Sequence, residues 1–248
     1  MSITVKVGVI NDDTAPWDYI SDVLLNEGII IELVSFNSFF TPNKALAEGE
    51  IDLNAFQHKA FLDQEISDHH YNIAPIAVTY LDPIGFYSKK ISSLSSLKDH
   101  DIIVIPSDPS NAGRSLKVLD EAGVIKTDSS KGYVPDVCDI VENPLDLRFL
   151  KVEPAKTILA LDDDHVTGAF INGNYAFAGG LNANTDAVYR EKLSADDVST
   201  PFVKVLVARS SETDRPEFRR IIDVYHSRGS ADILKQAEGG ALIPAFKY

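Results

Sequence analysis

The chain has 248 residues, 44% of them hydrophobic, which is enough for one large or two ordinary domains and excludes a disordered chain. Its formal net charge of −14 opposes binding to nucleic acid or anionic lipid, so neither is an expected partner. The single cysteine, Cys138, excludes internal disulfides and cysteine-based zinc sites, and no apolar run is long enough to cross a membrane.

The first quarter of the sequence predicts a βαβαβ arrangement. Alternating valines over 5–9 indicate a strand, and Asp12 and Asp13 before Pro16 are typical of a helix start. The elements predicted next are a helix over 17–27, a strand over 29–36, a short helix over 43–48 and a strand over 51–56. Short connections between alternating strands and helices predict a parallel sheet covered by helices.

The alternation resumes after a crossing segment. Residues 73–88 are strand-like but interrupted by Pro75, Pro83 and Gly85, which makes them too irregular for one strand. The elements predicted after it are a strand over 101–105, a helix from the loop at 106–111 to 122, a strand over 147–152, a helix from Pro154, a strand over 166–171 with a helix behind it, a strand over 201–209 and two closing helices at Pro216 and near Ser230.

Two crossings between α/β halves, near 79–88 and 197–204, predict two lobes. Lobe I is expected to contain residues 1–82 and 201–248, and lobe II residues 83–200. The predicted fold class is therefore α/β, with a ligand cleft between the lobes that is lined by the carboxyl ends of strands.

The sequence lacks the common catalytic and nucleotide-binding motifs: no GxSxG, P-loop, GxGxxG, HExxH or CxxC pattern is present. The acidic residues 162–164 before His165, and the pair His69 and His70, offer metal-type side chains. Both groups lie in polar connections, where we expect solvated side chains. We therefore expect no catalytic residue, no metal site and no cofactor.

The junction SDPSNAGR at 107–114 joins a predicted strand to a helix. Asp108 or Ser110 is placed to cap that helix. Asn111 and Arg114 then fall in or beside its first turn, where free N–H groups and the helix dipole favour an anion. An arginine fork holds a carboxylate well, but a surface arginine paired with an acidic neighbour fits the same pattern.

The stretch INGNYA at 171–176 follows another predicted strand. Asn172 or Asn174 is placed to cap the helix behind it, or to turn an amide oxygen towards a ligand ammonium. The pattern alone favours capping.

The stretch LNAFQHKAFLD at 53–63 places Gln57 and His58 at the end of a predicted strand. A helix beginning there would bring His58 and Phe61 together. No nucleophile or orienting acid is adjacent in the sequence, which argues against catalysis. The residues alone leave a core histidine and a pocket wall as alternatives.

Together these stretches resemble the NlpA lipoprotein family, the methionine-binding proteins of bacterial ABC importers. The matching segments occur in family order and cover nearly the whole chain: KVGV (6–9), FTPNKALAEGEIDLNAFQHKAFLD (40–63), PIGFYSKK (83–90), IPSDPSNAGRSL (105–116), FINGNYA (170–176) and GGALIPAF (239–246). The combination of the FQH block with the arginine loop and INGNYA is far more specific than any one block.

The resemblance implies a two-lobed, type II periplasmic-binding-protein-like fold that closes over an amino acid and delivers it to the membrane permease of an ABC importer. It implies a binding protein and not an enzyme, with methionine as the default ligand, and we expect a monomer. It also implies an extracytoplasmic protein, periplasmic or at the cell surface, with a lipid anchor on a cysteine after a signal peptide. Cys138 is not that cysteine, so the anchor lies upstream of Met1 or is absent.

The resemblance also assigns ligand contacts. The residues implied around the ligand side chain are Phe39, Phe56, His58 and Phe61, and those implied at the head group are Asn111, Arg114 and Asn172. In this assignment Arg114 holds the ligand carboxylate.

Three positions depart from the family pattern. Phe39 and Phe61 stand where tyrosines are usual, so two hydroxyls are missing. Lys204 stands where the family uses an asparagine near the head group. An ammonium ~4 Å from a ligand ammonium would cost on the order of 4 kcal/mol at an effective dielectric of about 20. Either a local carboxylate neutralises Lys204, or the ligand is more anionic than methionine or lacks a free amine.

Overall fold

The computed structural model describes residues 2–11, 14–194 and 199–248. Asp12 and Asp13, which belong to the predicted helix start, lie outside the described residues. The chain divides into two compact units. Unit 1 contains the residues up to Asp82 and those from 193 onwards, and unit 2 contains residues 83–192.

Unit 1 begins with β1 (Ile3–Ile10), α1 (Trp17–Leu25), β2 (Ile29–Phe36), α2 (Pro42–Ala47), β3 (Leu53–Asn54), α3 (Lys59–His69), β4 (Ile73–Val78) and β5 (Tyr80–Leu81). Unit 2 follows with β6 (Gly85–Tyr87), β7 (Ile102–Pro106), α4 (Pro109–Glu121), β8 (Lys126–Thr127), β9 (Ile140–Glu142), β10 (Arg148–Val152), β11 (Gly168–Ile171), α5 (Gly173–Ala178) and β12 (Tyr189–Arg190). The chain returns to unit 1 as β13 (Val205–Arg209), α6 (Pro216–Tyr225), α7 (Arg228–Leu234) and β14 (Ile243–Pro244).

The main sheet of unit 1 has the strand order β2-β1-β3-β13-β4. β1 pairs in parallel with β2 and β3, as the βαβαβ pattern predicts. β13 runs antiparallel to both β3 and β4, so the sheet as a whole is mixed, and the parallel pairing is limited to the opening strands. The local pattern of the first strands carries no information about a strand that enters their sheet from the far end of the chain.

The core of unit 1 packs the buried face of β1 against helices from both ends of the chain. Val5 and Val7 are fully buried together with Ile20 of α1 and with Phe218 and Ile221 of α6. The alternating valines of the sequence therefore point into the core, as period-two patterning predicts.

The return to unit 1 differs by several residues from the boundary at 200/201 that the sequence indicated. Leu193 packs on a small cluster formed by Leu81, Val203 and Ala245. These apolar contacts explain why the return to unit 1 begins at Leu193, although Leu193 belongs to a polar stretch of the sequence.

The main sheet of unit 2 has the strand order β10-β7-β11-β6-β12. β7 pairs in parallel with β10 and β11, whereas β6 runs antiparallel to β11 and β12. Because parallel neighbours end at the same sheet edge, the residues that follow β7 and β11 meet there. This topology brings the SDPSNAGR and INGNYA segments together.

Two predicted elements differ locally from the structure. The helix expected from Pro154 is a 3₁₀ helix over Pro154–Asp162, in which the Thr157 hydroxyl donates to the carbonyl of Pro154 at 2.8 Å and competes with the α-helical pattern. Of the strand expected over 51–56, only Leu53–Asn54 forms a β-strand.

Candidate ligand-binding site

Three phenylalanines of unit 1 form a buried aromatic cluster. Phe39, Phe56 and Phe61 are 6%, 3% and 4% exposed, and their ring centroids lie 5.8, 5.9 and 6.0 Å apart in the three pairs. Such distances are typical of tilted and edge-to-face packing. The structure thus brings together the three aromatic residues that the resemblance assigns to the ligand side chain.

His58 lies beside this cluster and begins α3. Its Nδ1 accepts a hydrogen bond from the backbone N–H of Phe61 at 3.1 Å, which makes His58 the N-cap of the helix. The ring stands perpendicular to those of Phe61 and Phe202, with centroids 6.3 and 5.3 Å away. Because Nδ1 is an acceptor, the neutral ring carries its proton on Nε2 and presents a donor there. The capping role was not predicted from the sequence.

A buried amide network supports the segment that carries Phe56 and His58. Asn43 and Gln57 exchange two hydrogen bonds, of 2.8 and 2.6 Å. Asn54 donates to Asn43 at 3.0 Å and accepts from Gln57 at 2.9 Å. Sequence reasoning missed this network, although two of its members lie in LNAFQ. Mutually satisfied amides away from water hold their backbone in one arrangement.

Lys204, also in unit 1, forms a buried ion pair with Asp82. Its Nζ lies 3.0 Å from Oδ2 of Asp82, and the two side chains are 8% and 3% exposed. Nζ also lies 3.5 Å from the hydroxyl of Tyr80 and 5.0 Å from the centre of its ring. The backbone of Lys204 forms an antiparallel bridge with that of His58.

Of the two alternatives that the sequence left for Lys204, the structure contains the local carboxylate. Asp82 was not identified from the sequence, where its only signal was a carboxylate next to Pro83 in a buried-looking segment. The pair is close to neutral as a whole. The presence of Lys204 therefore no longer requires an unusually anionic ligand.

In unit 2, Arg114 is held by Glu191. The guanidinium Nε lies 3.1 Å from both carboxylate oxygens, and Nη2 lies 2.5 Å from Oε2. The side chains are 2% and 8% exposed. Oε2 also accepts from the backbone N–H of Ile84 at 3.3 Å. Arg114 is thus paired with an acidic residue but is not on the surface.

Glu191 was not predicted because it follows β12 in a stretch that looked merely polar. It contacts Arg114 in a two-point geometry, which fixes the plane of the guanidinium. A ligand carboxylate at Arg114 would therefore meet an oriented cation whose charge is already partly balanced.

Asn111 and Asn172 meet at the sheet edge of unit 2, where β7 and β11 end. Nδ2 of Asn172 donates to Oδ1 of Asn111 at 2.9 Å. Asn172 occupies the N-cap position of α5 but makes no side-chain capping bond, which contradicts the capping that the pattern alone favoured for this asparagine. The preceding helix is capped differently, because Asp108 accepts from the backbone N–H of Asn111 at 2.9 Å.

Burial governs the acid–base chemistry of this edge. Loss of solvent raises the pKa of the Asp108 carboxyl, and hydrogen bonds from Asn111 and Ser110 oppose the increase. Burial also raises the pKa of the Tyr175 hydroxyl, with smaller contributions from the charges of Glu153 and Asp108. Tyr175 therefore stays protonated and neutral in the physiological range.

Among the histidines and acidic residues that the sequence offered as possible metal ligands, His69 and Asp162 pair with other side chains. His69 lies 3.6 Å from Glu65, and Asp162 pairs with Lys89. Among residues 2–11, 14–194 and 199–248, no group of three or more His, Cys, Asp or Glu side chains is arranged to hold a metal ion. Within the same ranges, no helix has the length and apolar character that a membrane span requires.

The fold and these residues define a class of protein. Two α/β units with a chain that leaves the first unit and returns to it form the architecture of type II periplasmic binding proteins, as the sequence predicted. The NlpA lipoprotein family model matches residues 5–246, and the chain belongs to this family.

Named relatives agree with that assignment. The D-methionine-binding lipoprotein MetQ of Yersinia pestis is 36% identical over 241 residues, which cover 96% of this chain and 87% of the relative. The MetQ lipoprotein of Salmonella typhimurium is 38% identical over 225 residues, covering 90% and 81%. A nutrient-binding protein from Burkholderia cenocepacia, solved bound to methionine, has a TM-score of 0.90 at 33% identity and covers 98% of this chain and 100% of its own. These relatives are binding proteins, which confirms the prediction of a binding protein rather than an enzyme.

Proposed function

We propose that this chain is the substrate-binding protein of an ABC importer, and that it binds methionine or a closely related amino acid and delivers it to a permease. The observation that carries the proposal is the division of buried side chains by chemistry within a chain of this family. Unit 1 contains an aromatic cluster, and unit 2 contains a buried arginine with two amides. An amino acid with an apolar side chain needs both kinds of contact.

The side-chain part of the site is proposed to be Phe39, Phe56 and Phe61, with His58 as a wall and hydrogen-bonding group. A thioether is polarizable and packs well on aromatic rings. Both tyrosine-to-phenylalanine departures lie in this cluster, so this protein is expected to hold its ligand's side chain by packing more than by hydroxyl contacts.

The head-group part of the site is proposed to be Arg114, with Asn111 and Asn172. Arg114 would hold the ligand carboxylate in an orientation fixed by Glu191. Lys204 stays in the proposed site as a residue next to His58, but its charge is balanced by Asp82. This balance supports methionine over the more anionic or amine-free ligands that an unpaired lysine would have required.

The proposal extends to the setting of the protein. The relatives are lipoproteins, and we propose that this protein is also extracytoplasmic and lipid-anchored in its native form, and that it acts as a monomer. Sequencing the gene upstream of Met1 tests the anchor, and light scattering of the purified protein tests the monomer.

Mass spectrometry of the ligand released on denaturation, followed by calorimetry with L- and D-methionine, tests the ligand. Methionine in the released fraction and a tight, saturable calorimetric signal are expected. A different released compound, with no heat from either isomer, would reject methionine.

The aromatic part of the site has its own test. Phe61→Leu is expected to reduce the preference for methionine over norleucine by roughly 0.3–1.5 kcal/mol, because it removes a sulfur–aromatic contact that norleucine cannot make. Phe86→Leu is the matched control, since Phe86 packs on Phe170 at 5.3 Å in the core of unit 2. An unchanged preference in Phe61→Leu would remove Phe61 from the site.

A further inference from the structure

Asp108, Asn111 and Asn172 form a chain of hydrogen bonds. Nδ2 of Asn111 lies 3.0 and 3.2 Å from the two carboxylate oxygens of Asp108. Oδ1 of Asn111 accepts from Nδ2 of Asn172 at 2.9 Å. Each amide therefore turns its NH2 group towards Asp108 and its oxygen away from it.

The chemistry of Asp108 sets this direction. An ionised carboxylate only accepts hydrogen bonds, and Asp108 also accepts from the hydroxyl of Ser110 at 2.8 Å and from the backbone N–H of Asn111 at 2.9 Å. Asn111 must therefore present NH2 to Asp108, and Asn172 must present NH2 to Asn111. This order follows from donors and acceptors, so it does not depend on telling nitrogen from oxygen in a side-chain amide.

The series of hydrogen bonds that starts at Asp108 ends in an acceptor, the side-chain oxygen of Asn172. Asn172 is 6% exposed, and its Oδ1 is buried without a hydrogen bond from any described residue. Two positions further on, Asn174 is also 6% exposed, and its Oδ1 is likewise buried without a hydrogen bond from any described residue. Buried acceptors are normally paired, because leaving them unpaired is costly. Both oxygens therefore point to a donor that is not among the described residues of the protein.

We propose that Asp108 is a positioning residue that sets the polarity of the Asn111–Asn172 pair, so that Asn172, with Asn174, accepts the ammonium group of an amino-acid ligand. An ammonium offers three donors and no acceptor, whereas a carboxylate offers only acceptors and would meet like partial charge here. The inference rests on the proposed amino-acid-binding function and adds that this edge of unit 2 selects for a free amine.

Asp108→Asn tests the inference with almost no change of shape. Asparagine is also a good N-cap, so its oxygen keeps the bonds from Asn111 N–H and Ser110. The oxygen also keeps the contact with Nδ2 of Asn111 at 3.0 Å, but an NH2 group replaces Oδ2, which lies 3.2 Å from the same nitrogen. Two NH2 groups then face each other, and the preference for the present direction of both downstream amides falls. In the molecules whose amides reverse, Asn172 presents NH2 instead of oxygen to the ligand.

The measurement is calorimetry with matched pairs: L-methionine against desamino-methionine, and L-leucine against desamino-leucine. The amine preference is the dissociation constant of the desamino compound divided by that of the amino acid. In the wild-type protein it is expected to favour the amine, and in Asp108→Asn it is expected to fall by about tenfold or more, the factor that one hydrogen bond to a charged group accounts for.

Two further variants separate positioning from charge and from folding. Asp120→Asn removes a carboxylate from the same helix, where Asp120 accepts from Thr127, and should leave the preference unchanged. Asn111→Ala interrupts the hydrogen bonds between Asp108 and Asn172 while Asp108 keeps its carboxylate. It should lower the amine preference as Asp108→Asn does, and it provides the test if Asp108→Asn folds poorly. An equal effect of Asp120→Asn, or no effect of the two chain variants, would overturn the inference.

The ligand pairs also separate this inference from the proposed function. Binding of leucine but not methionine, with a strong amine preference, would reject the proposed ligand and support the role of Asp108. Wild-type protein that binds the desamino compounds as tightly as the amino acids would overturn the role of Asp108 alone. Binding of no compound in the set would reject both.

Discussion

The ammonium of Lys204 lies 3.0 Å from the carboxylate of Asp82, and both side chains are almost fully buried. Two charges that leave water together lose solvation, and their mutual attraction offsets that loss only while both are present. The pair also lies directly beside His58, whose backbone bridges to that of Lys204. A substitution that looks like a change of ligand specificity is therefore first a change in the internal charge balance of unit 1.

Lys204→Asn, which restores the residue usual in the family, is expected to destabilise the protein by roughly 3–5 kcal/mol, because Asp82 is left as an uncompensated buried charge. Urea unfolding at neutral pH measures the loss, and adding Asp82→Asn should recover part of it. Lys59→Asn is the matched control: it breaks an exposed pair with Asp63 at 2.8 Å and should cost less than about 1 kcal/mol. Equal losses in the two lysine variants would show that the buried pair contributes nothing special.

His58 has a capping role and a proposed ligand role, and two substitutions separate them. His58→Ala removes the acceptor for the Phe61 N–H and should cost about 0.5–2 kcal/mol of stability, whereas His58→Asn keeps a good capping residue and should cost less. Both should weaken methionine binding if His58 is a pocket wall. Ser227→Ala, which removes the cap of α7, should lower stability without changing affinity. Wild-type affinity in His58→Asn would leave His58 with its structural role alone.

We expect Arg114 to contribute to ligand affinity through the planar hydrogen-bond donors of its guanidinium as well as through its charge. Arg114→Ala should reduce methionine affinity by roughly 2–4 kcal/mol, but it also leaves Glu191 buried and unpaired and so lowers stability. Arg114→Lys keeps the charge and loses the planar donors, and should still cost roughly 1.5–3 kcal/mol of binding free energy in calorimetry. The exposed Arg148 provides a control as Arg148→Lys. Near-wild-type affinity in either Arg114 variant would reject the carboxylate assignment.

Glu212 makes stability depend on pH in the acid range. Hydrogen bonds from Arg209 and Arg215 lower the pKa of its carboxyl to about 2. Because the folded pKa lies below the unfolded value of 4.5, the stabilisation is complete above that value and is lost as the pH falls towards the folded pKa.

The matching experiment is urea unfolding of wild-type protein and Glu212→Gln from neutral pH down to about pH 2. The variant should be less stable at neutral pH by on the order of 1 kcal/mol, since Glu212 is partly exposed and solvent screens the pair. The difference in unfolding free energy between the two proteins should shrink as the pH falls below 4.5, the pKa of the carboxyl in the unfolded chain. A difference that stays constant with pH would assign the effect to packing.

Much of the fold followed from local patterns. The alternation in β1 and the glycine and proline boundaries of α1 and β2 predicted real elements, since hydrophobic period and end signals act over a few residues. The mixed character of the unit 1 sheet did not follow, because β13 lies far from β3 and β4 in the chain. In the 3₁₀ helix at Pro154 the Thr157 hydroxyl donates to the carbonyl of Pro154, a bond that hydrophobic periodicity does not report.

The sequence blocks identified the family and proposed His58, Arg114 and Asn172 as site residues, but not the residues that these side chains contact. Glu191 and Asp82 were missed, since each looked like an ordinary acidic residue in a connection. Nothing local marks an acidic residue as the partner of a buried cation elsewhere in the chain.

By itself, the sequence determined most of the main strands and helices and the membership of the NlpA lipoprotein family. Those properties depend on spacing along the chain and on motif order. Only the tertiary structure decided which charges are balanced and which way the amides face, from Lys204 with Asp82 to Asn172 with Asn111. Ion pairs and hydrogen bonds form between atoms about 3 Å apart. Their partners therefore depend on how the strands are ordered in space, and the order of residues in the sequence does not show which residues come that close.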